Sequence, residues 1–353
     1  MIVFTGGGSG GHSMVAITLI KYFRNRQPSI KIEYIGSHQG LEKILCLQND
    51  VSYHEISTGK LRRYFSLENF LDVFKVLLGF LQCFFLFFTK LKKAEIVFST
   101  GGFVSVAPCV VARVLGRKVY LHEQTSRLGL ANKIISKFAD KVFITFESSR
   151  VFLPKDKVIF SGYPLREDIL SNSANFEVIK GVSLRDSRKP ILFVTGGGNG
   201  AQVINELILK FKSELLDDYI IFHQVGSKFV TEYQKMESEN YKVFDFIGEE
   251  LISLIKAASV VISRAGAGSV CELMALNKKV VFIPLKIAQR NEQFHNAQEA
   301  SKHIRVEIIE EDDLKGVFLP ETLSALREQE VSSPLEKKND QNPCEVIYKE
   351  LSI

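Results

Sequence analysis

Apolar and polar residues fall along this chain in blocks. The run Ile2-Val3-Phe4 gives way to a glycine-rich stretch and then to Val15-Ala16-Ile17-Thr18-Leu19-Ile20, a helical block. Short continuous apolar runs bounded by glycine or polar residues predict strands buried on both faces, the pattern of a parallel sheet. Such runs recur at 31–35, 96–99, 119–121 and 142–146, with helical stretches between them. A second series follows at 191–194, 220–224, 243–246, 260–263 and 280–284. Alternation of this kind predicts α/β architecture with right-handed crossovers. After residue 331 the composition turns polar, and Val346, Ile347 and Leu351 then mark one apolar face of a short final helix.

An internal repeat separates the two series. FTGGGSG at 4–10 returns as VTGGGNG at 194–200, each copy after an apolar strand and before a helical pattern. Two Rossmann-like halves explain it, and 353 residues exceed what one core usually fills. The expected division is 1–163, 164–335 and a tail at 336–353. A strand that ends in glycines and opens a helix gathers backbone N–H groups and a positive dipole end at one point, which suits phosphate. Gly6, Gly8 and Gly11 also satisfy G-x-G-x-x-G, so a nicotinamide oxidoreductase is an alternative. That class wants an acidic residue closing the second strand, where this chain has Gly36 and Ser37 with Glu33 inside the strand. Glycines that merely make tight turns explain one such loop better than a near-identical pair.

Composition narrows the class. A hydrophobic fraction of 46% and a charged fraction of 24% describe a globular chain and set aside disorder and fibrous repeats. The net charge of +5 is compatible with phosphate-bearing ligands or an anionic membrane and does not argue for nucleic acid. Cys46, Cys83, Cys109, Cys271 and Cys344 show no C-x-x-C spacing, which predicts a reduced compartment and no structural zinc. No D-x-D follows a strand beside the glycine loops, so no metal is expected. Met1 runs straight into an apolar strand without the pattern of a signal peptide, and a cytoplasmic location is expected. Residues 76–89 (VLLGFLQCFFLFFT) carry no charge and lie between Lys75 and the cluster Lys90, Lys92, Lys93. The run is shorter than the roughly 20 residues a span requires, so a buried or interfacial helix is expected.

Further motifs stand in order along the chain: GGGSGGH at 6–12, TGGFV at 100–104, HEQ at 122–124, Asn132-Lys133, GYPLR at 162–166, the second glycine loop, SRAGAGSVCE at 263–272 and QFHNA at 293–297. On these motifs, which span nearly the whole length, the sequence resembles the MurG family of bacterial cell-wall glycosyltransferases. The resemblance implies a GT-B glycosyltransferase fold, two Rossmann-like domains with an interdomain cleft, and a final helix crossing back onto the first domain. The first domain would face the lipid acceptor and the membrane, and the second would hold the nucleotide. The implied reaction is inverting, metal-independent transfer of N-acetylglucosamine from UDP-N-acetylglucosamine (UDP-GlcNAc) to undecaprenyl-diphosphate-linked N-acetylmuramoyl pentapeptide (lipid I). It makes lipid II, needs no cofactor, and takes place at the cytoplasmic side of the cell membrane. Val15, Thr125 and Gly198 stand where the family usually has proline, asparagine and serine. Threonine replaces only part of an asparagine amide's hydrogen bonding.

The candidate residues carry competing readings. His12, at a helix start past the first glycine loop, meets a positive dipole end that keeps its ring neutral as a base. A plain backbone contact is the alternative. Glu123 follows a strand at the carboxyl end of the sheet, where ligands bind in such folds, and is either the base or a structural carboxylate. Ser269 and Glu272 have the S-x-x-E spacing of a capping box. The family pattern instead places a glutamate on the UDP ribose and the N–H groups of Ala267, Gly268 and Ser269 on its diphosphate. Gln293 and Asn296 share a helix face, as needed if both reach the sugar hydroxyls, with ordinary solvated helix polarity the alternative. Arg166 either approaches the nucleotide or faces solvent beside Glu167 and Asp168. By resemblance alone, Ser9, Gly10, Gly11, Thr125, Gly198, Asn199 and the backbone of Ile247 join the UDP-GlcNAc site. The acidic run 310–313 predicts a solvated helix start. An epimerase, another lipid glycosyltransferase on the same nucleotide sugar, and a silent nucleotide-sugar-binding protein complete the alternatives.

Overall fold

The structure, a computed structural model, describes residues 1–8, 10–59, 67–170, 176–288, 291–330 and 341–351. It separates into two compact units, Met1–Leu165 with Gln341–Ile353, and Arg166–Asp340.

The first unit is built on seven strands: β1 (Ile2–Thr5), β2 (Ile32–Ser37), β3 (Ser52–Ile56), β4 (Ile96–Ser99), β5 (Lys118–Glu123), β6 (Lys141–Ile144) and β7 (Val158–Phe160). They pair in parallel in the order β3-β2-β1-β4-β5-β6-β7. The order reverses between β1 and β4, the switch point at which such sheets open a crevice beyond their carboxyl ends. Right-handed crossovers put α1 (Gly10–Arg26) and α2 (Leu41–Gln48) on one face and α3 (Leu67–Phe88), α4 (Val106–Val114) and α5 (Leu130–Phe138) on the other. Val3, Ile35, Val97, Leu121 and Ile144 point into the α3–α5 layer against Cys83, Phe87, Val111 and Ile135. Phe4 turns the other way and meets Phe23 of α1 at 5.8 Å between ring centroids. The final helix, Pro343–Glu350, packs on that same face. Asn342 caps it by accepting the Cys344 N–H at 2.9 Å, Tyr348 stands edge-on to Phe23 at 5.3 Å, and Glu345 takes Arg26 at 2.7 Å together with the Tyr22 hydroxyl.

The second unit opens with a one-turn helix, Glu167–Leu170, and then has a small antiparallel pair, β8 (Val178–Ile179) and β9 (Val182–Ser183). Six parallel strands follow: β10 (Ile191–Thr195), β11 (Ile220–Gln224), β12 (Tyr241–Phe244), β13 (Val260–Ser263), β14 (Val280–Phe282) and β15 (Val306–Ile308), in the order β12-β11-β10-β13-β14-β15. The run 310–313 does not start a helix: it forms a turn leading to a single 3₁₀ turn at Leu314–Gly316. Its Glu311 reaches the buried Arg264 guanidinium at 2.6 Å, and the same Arg264 nitrogen donates to the carbonyls of Ile283 and Pro284. Glu310, Asp312 and Asp313 are exposed as expected, and Glu311 alone departs from a solvated run, because it neutralises a buried cation.

Each unit buries a neutral histidine. His223 sits between Asn205 Oδ1 at 3.0 Å from Nε2 and the Tyr241 hydroxyl at 2.9 Å from Nδ1. His122 donates from Nε2 to the Gly162 carbonyl at 3.1 Å. Burial lowers His122 to about 4 and His223 to about 3, from an ordinary 6.5. Below pH 6.5 the unfolded chain protonates both rings while the folded chain keeps them neutral, so stability is full above 6.5 and falls as the pH drops toward 4 and 3. The expected slope is ~1.4 kcal/mol per pH unit for each ring. Urea unfolding followed from neutral to mildly acidic pH should show it, and His223→Gln should flatten the slope; an unchanged slope in that variant would remove His223 from the linkage.

Candidate functional site

The carboxyl ends of β1, β4 and β5 meet at the first glycine loop. The Gly7 N–H donates to the Gly101 carbonyl at 3.2 Å, so two glycine turns touch backbone to backbone. Side chains are excluded: a Cβ on Gly6 would lie 2.0 Å from Thr100 Oγ1, and one on Gly102 would lie 2.1 Å from the Gly7 carbonyl oxygen. Gly8, Gly101 and Gly102 also hold φ of 81, 101 and 89°, where an L side chain is strained.

His12 lies in the first turn of α1. Its Nδ1 is 2.6 Å from the Thr100 carbonyl oxygen, and Thr100 Oγ1 donates to the His12 carbonyl at 2.8 Å. Burial pushes its proton affinity below the ordinary histidine range, opposed by the Thr100 carbonyl and the charge of Glu42. A neutral ring at neutral pH follows. Glu42, which the sequence did not single out, takes the Ser37 hydroxyl at 2.6 Å and packs its carboxyl against Gly7.

Glu123 ends β5 and is 1% exposed. One oxygen accepts from the Thr125 N–H and hydroxyl, both at 2.8 Å, and the other accepts from Asn132 Nδ2 at 2.8 Å. Burial raises its proton affinity, while these hydrogen bonds lower it. Three hydrogen bonds thus tie the carboxylate to Thr125 and Asn132 inside the protein. Thr125 is bound into the same network, its hydroxyl lying 2.8 Å from Glu123 and 2.6 Å from the Arg127 carbonyl. Gly10 and Gly11 open α1, and Ser9 lies outside the described residues.

In the second unit, the repeated glycine loop is a turn first and a helix later. Gly197 and Gly200 have φ of 83 and 72°, and the Gly200 N–H returns to the Gly197 carbonyl at 3.0 Å. The helix starts only at Gln202, with Ala201 at its N-cap, so Gly198 and Asn199 form an exposed tip. Gln224 ties this loop to the next: its Nε2 donates to the Gly197 carbonyl at 2.9 Å and its Oε1 accepts the Ile247 N–H at 3.0 Å.

The capping-box reading of Ser269 and Glu272 is wrong. Gly266 is the N-cap of the helix Ala267–Ala275, so Ser269 already lies within the first turn, and among the described residues no side chain caps the helix. The N–H groups of Ala267, Gly268 and Ser269 therefore open a bare helix end, the kind that favours anions. Glu272 faces Arg166, with Nε to Oε1 at 3.3 Å, and Asp168 lies 3.9 Å from the same nitrogen. Burial raises the proton affinity of Glu272, Arg166 lowers it and Asp168 raises it. The solvent-facing reading of Arg166 fails as well: its Nη2 is buried and has no hydrogen-bond partner among the described residues.

Gln293 and Asn296 share the helix Glu292–Ser301, but their amides serve the neighbouring loops. Gln293 Oε1 accepts the Leu285 N–H at 3.0 Å, and the buried Asn296 donates to the Ala265 carbonyl at 3.2 Å.

Residues 191–351 match the glycosyltransferase family 28 C-terminal domain and residues 2–144 its N-terminal domain. The chain belongs to glycosyltransferase family 28. As a family 28 member it is a glycosyltransferase, which sets aside the nicotinamide oxidoreductase that the Gly6, Gly8, Gly11 spacing allowed. It is 37% identical, over 99% of each chain, to the UDP-N-acetylglucosamine--N-acetylmuramyl-(pentapeptide) pyrophosphoryl-undecaprenol N-acetylglucosamine transferase 2 of Bacillus cereus. The Clostridium tetani transferase of the same designation is 39% identical over 90% of this chain and 87% of its own. Among solved structures, MurG of Acinetobacter baumannii superposes with a TM-score of 0.72 at 21% identity, covering 100% of this chain and 99% of that one. A UDP-GlcNAc 2-epimerase of Neisseria meningitidis bound to UDP-GlcNAc gives 0.63 at 14% identity, over 100% of both. These two structures establish the shared GT-B fold.

The glycines of this family 28 chain are not equivalent. Gly8→Ala meets nothing within 4 Å and should cost only the strain of its φ, about 1–3 kcal/mol. Gly102→Ala adds a methyl group 2.1 Å from a backbone oxygen and should cost clearly more. Urea unfolding of the two variants decides; equal losses would mean that the two glycine turns separate without penalty.

Proposed function

We propose that this family 28 transferase moves N-acetylglucosamine from UDP-GlcNAc to the N-acetylmuramoyl sugar of undecaprenyl-diphosphate-linked pentapeptide, in one inverting displacement without a metal. The observation that carries the reading is full-length identity of 37% to a relative whose name states that transfer. His12 supports it as the base: its Nδ1 is occupied by Thr100, which leaves Nε2 for the acceptor hydroxyl. That hydroxyl gives up its proton, its oxygen attacks the anomeric carbon, and the bond to UDP breaks. The bare helix start at Ala267, Gly268 and Ser269 meets the charge that grows on the leaving diphosphate. Glu272 suits the ribose hydroxyls as an acceptor, and Arg166 beside it supplies the positive charge. Gly198 and Asn199, the Ile247 backbone and the NH₂ end of Gln293 complete the donor set, with Asn296 shaping the Ala265 loop. Ser9, Gly10 and Gly11 belong to the same reading, while Glu123 and Thr125 order the His12 loop from behind.

Incubation with UDP-GlcNAc and a short-chain analogue of the lipid acceptor should release UDP and form the disaccharide. His12→Ala should lower turnover by about 10²- to 10⁴-fold with UDP affinity retained, and Glu272→Ala should lose UDP affinity with stability retained. Near-normal turnover in His12→Ala would move the base elsewhere. Normal UDP affinity in Glu272→Ala would remove the ribose contact.

We also propose that α3 docks the protein peripherally on the cytoplasmic face of the membrane that holds its acceptor. Among the described residues no helix is long and apolar enough to cross a membrane. Phe74, Leu77, Leu78, Leu81, Phe85 and Phe88 are nevertheless exposed, Leu81 to 67% and Phe85 to 66%. The opposite side of the helix, Cys83 and Phe87, fills the core, with Phe84 partly buried against it. Lys90, Lys92 and Lys93 are exposed at its end, whereas Lys60, Arg62, Arg63 and the Phe70 side chain lie outside the described residues. Each basic residue near an anionic surface contributes about 1 kcal/mol. Co-sedimentation with vesicles should therefore require anionic lipid, weaken with salt and drop when Lys90, Lys92 and Lys93 become Gln. Equal binding to neutral and anionic vesicles would overturn the cationic part, and no binding to either would overturn the docking.

A further inference from the structure

Gln124, one residue beyond Glu123 and buried, has no part in the transfer as described so far. Its amide nitrogen lies 3.1 Å from the Thr100 carbonyl oxygen and 3.2 Å from His12 Nδ1. The carbonyl oxygen only accepts, so the end of Gln124 that faces it is the NH₂. The same argument fixes the ring. At 2.6 Å from that oxygen, His12 Nδ1 carries a hydrogen, because a lone pair there would face another lone pair. Gln124 and His12 therefore donate to one shared acceptor, with the positive ends of two N–H dipoles side by side. Thr100 Oγ1 holds the His12 carbonyl as well, so the residue is gripped at both ring and backbone.

We propose that Gln124 is a positioning residue for the transfer: with Thr100 it holds His12 as the neutral Nδ1–H tautomer, presents Nε2 as the base, and disfavours the imidazolium until the acceptor proton arrives. The inference rests on the reading of His12 as the base and deepens it. The donor dipole of Gln124 acts against a second proton on the ring, whereas a carboxylate of the same shape would invite it. The other ionisable groups that act on the ring are Glu42 at the start of α2, which favours the charged form, and His122 of β5. The Glu123 carboxylate on β5 is engaged with Thr125 and Asn132.

The test uses the full chain with isotope-labelled histidine, the His12 signal being identified by its loss in His12→Gln. Nitrogen shifts should show a pyrrole-type Nδ1 and a pyridine-type Nε2 in the wild-type protein. Gln124→Glu should raise the His12 titration midpoint by about one unit or more and move the acidic limb of kcat/KM by the same amount. Gln124→Met, which keeps the bulk and loses the donor, should shift both in the same direction by less. A residue that served only packing would lower stability or kcat and leave the limb in place. A proton on Nε2 in the wild-type protein, or a His12 midpoint unmoved in folded Gln124→Glu, overturns the proposal. If the midpoint moves and the limb of kcat/KM does not, the positioning of the ring stands and His12 is not the base.

Discussion

The Gly102 α-carbon approaches the Gly7 carbonyl so closely that a methyl group there would stand 2.1 Å from the oxygen. This contact between two glycine turns brings the end of β4 against the end of β1. Thr100 is thereby set under the start of α1, where its hydroxyl takes the His12 carbonyl and its own carbonyl takes the ring. Gly101 contributes on its other side: a Cβ on it would lie 2.8 Å from Asn132 Oδ1 and 2.9 Å from His12 Cε1, so the Asn132 amide and the His12 ring both close in on a bare α-carbon. Asn132 in turn holds Glu123. Backbone approach sets the geometry, and the side chains of the site are ordered in consequence.

The architecture was legible because the central strands of both sheets are continuous apolar runs flanked by glycine or polar residues. β4, β11 and β13 match the predicted ranges residue for residue, since burial on both faces leaves no alternation to blur the ends. Of the edge strands, β12 was expected but lies two residues earlier than predicted, and β3, β7 and β15 escaped. β3, with the sequence SYHEI, is half exposed and reads as polar, and β15 holds a glutamate at its centre. The hydropathy of 76–89 was equally ambiguous: a helix with one face in the core and one exposed has the same composition as a buried one. Only the sheet order, which places α3 at the margin of its layer beside β3, separates the two.

The site was legible where chemistry is local and obscure where it depends on register. His12 could be picked out from its place after the glycine loop. Glu123 stood out for the same positional reason, yet its burial follows from Asn132 nine residues on and from a turn at Thr125, which spacing does not reveal. Gln124 stood in the HEQ motif and Gln224 at the end of a predicted strand, but neither drew a role, because a glutamine at a strand end looks like ordinary polarity. Each proves to bridge two segments far apart in sequence. For Glu272 the S-x-x-E spacing pointed to a cap, but the helix starts two residues before Ser269 and the carboxylate goes to Arg166. A one-turn error in where a helix begins was enough to change the role of the residue.

The two halves of the repeat differ in electrostatics as well as in turn geometry. Around His12 the direct partners among the described residues are neutral, a backbone carbonyl, an amide side chain and glycine backbone, and the charge of Glu42 acts on the ring. On the helix Ala267–Ala275 the partners are charged, with Arg166 between Glu272 and Asp168. On the proposed reaction this division suits what each half handles. A hydroxyl is neutral until it loses its proton, and a base that stayed protonated through attraction to nearby carboxylates would not accept one at neutral pH. A nucleoside diphosphate arrives already charged, and on that reading Arg166, whose Nη2 has no hydrogen-bond partner among the described residues, and the N–H groups that open the helix would both favour it. On the proposed reaction, the same strand–glycine–helix plan would serve a proton acceptor in one unit and an anion in the other, according to whether the residues packed near it are neutral or charged.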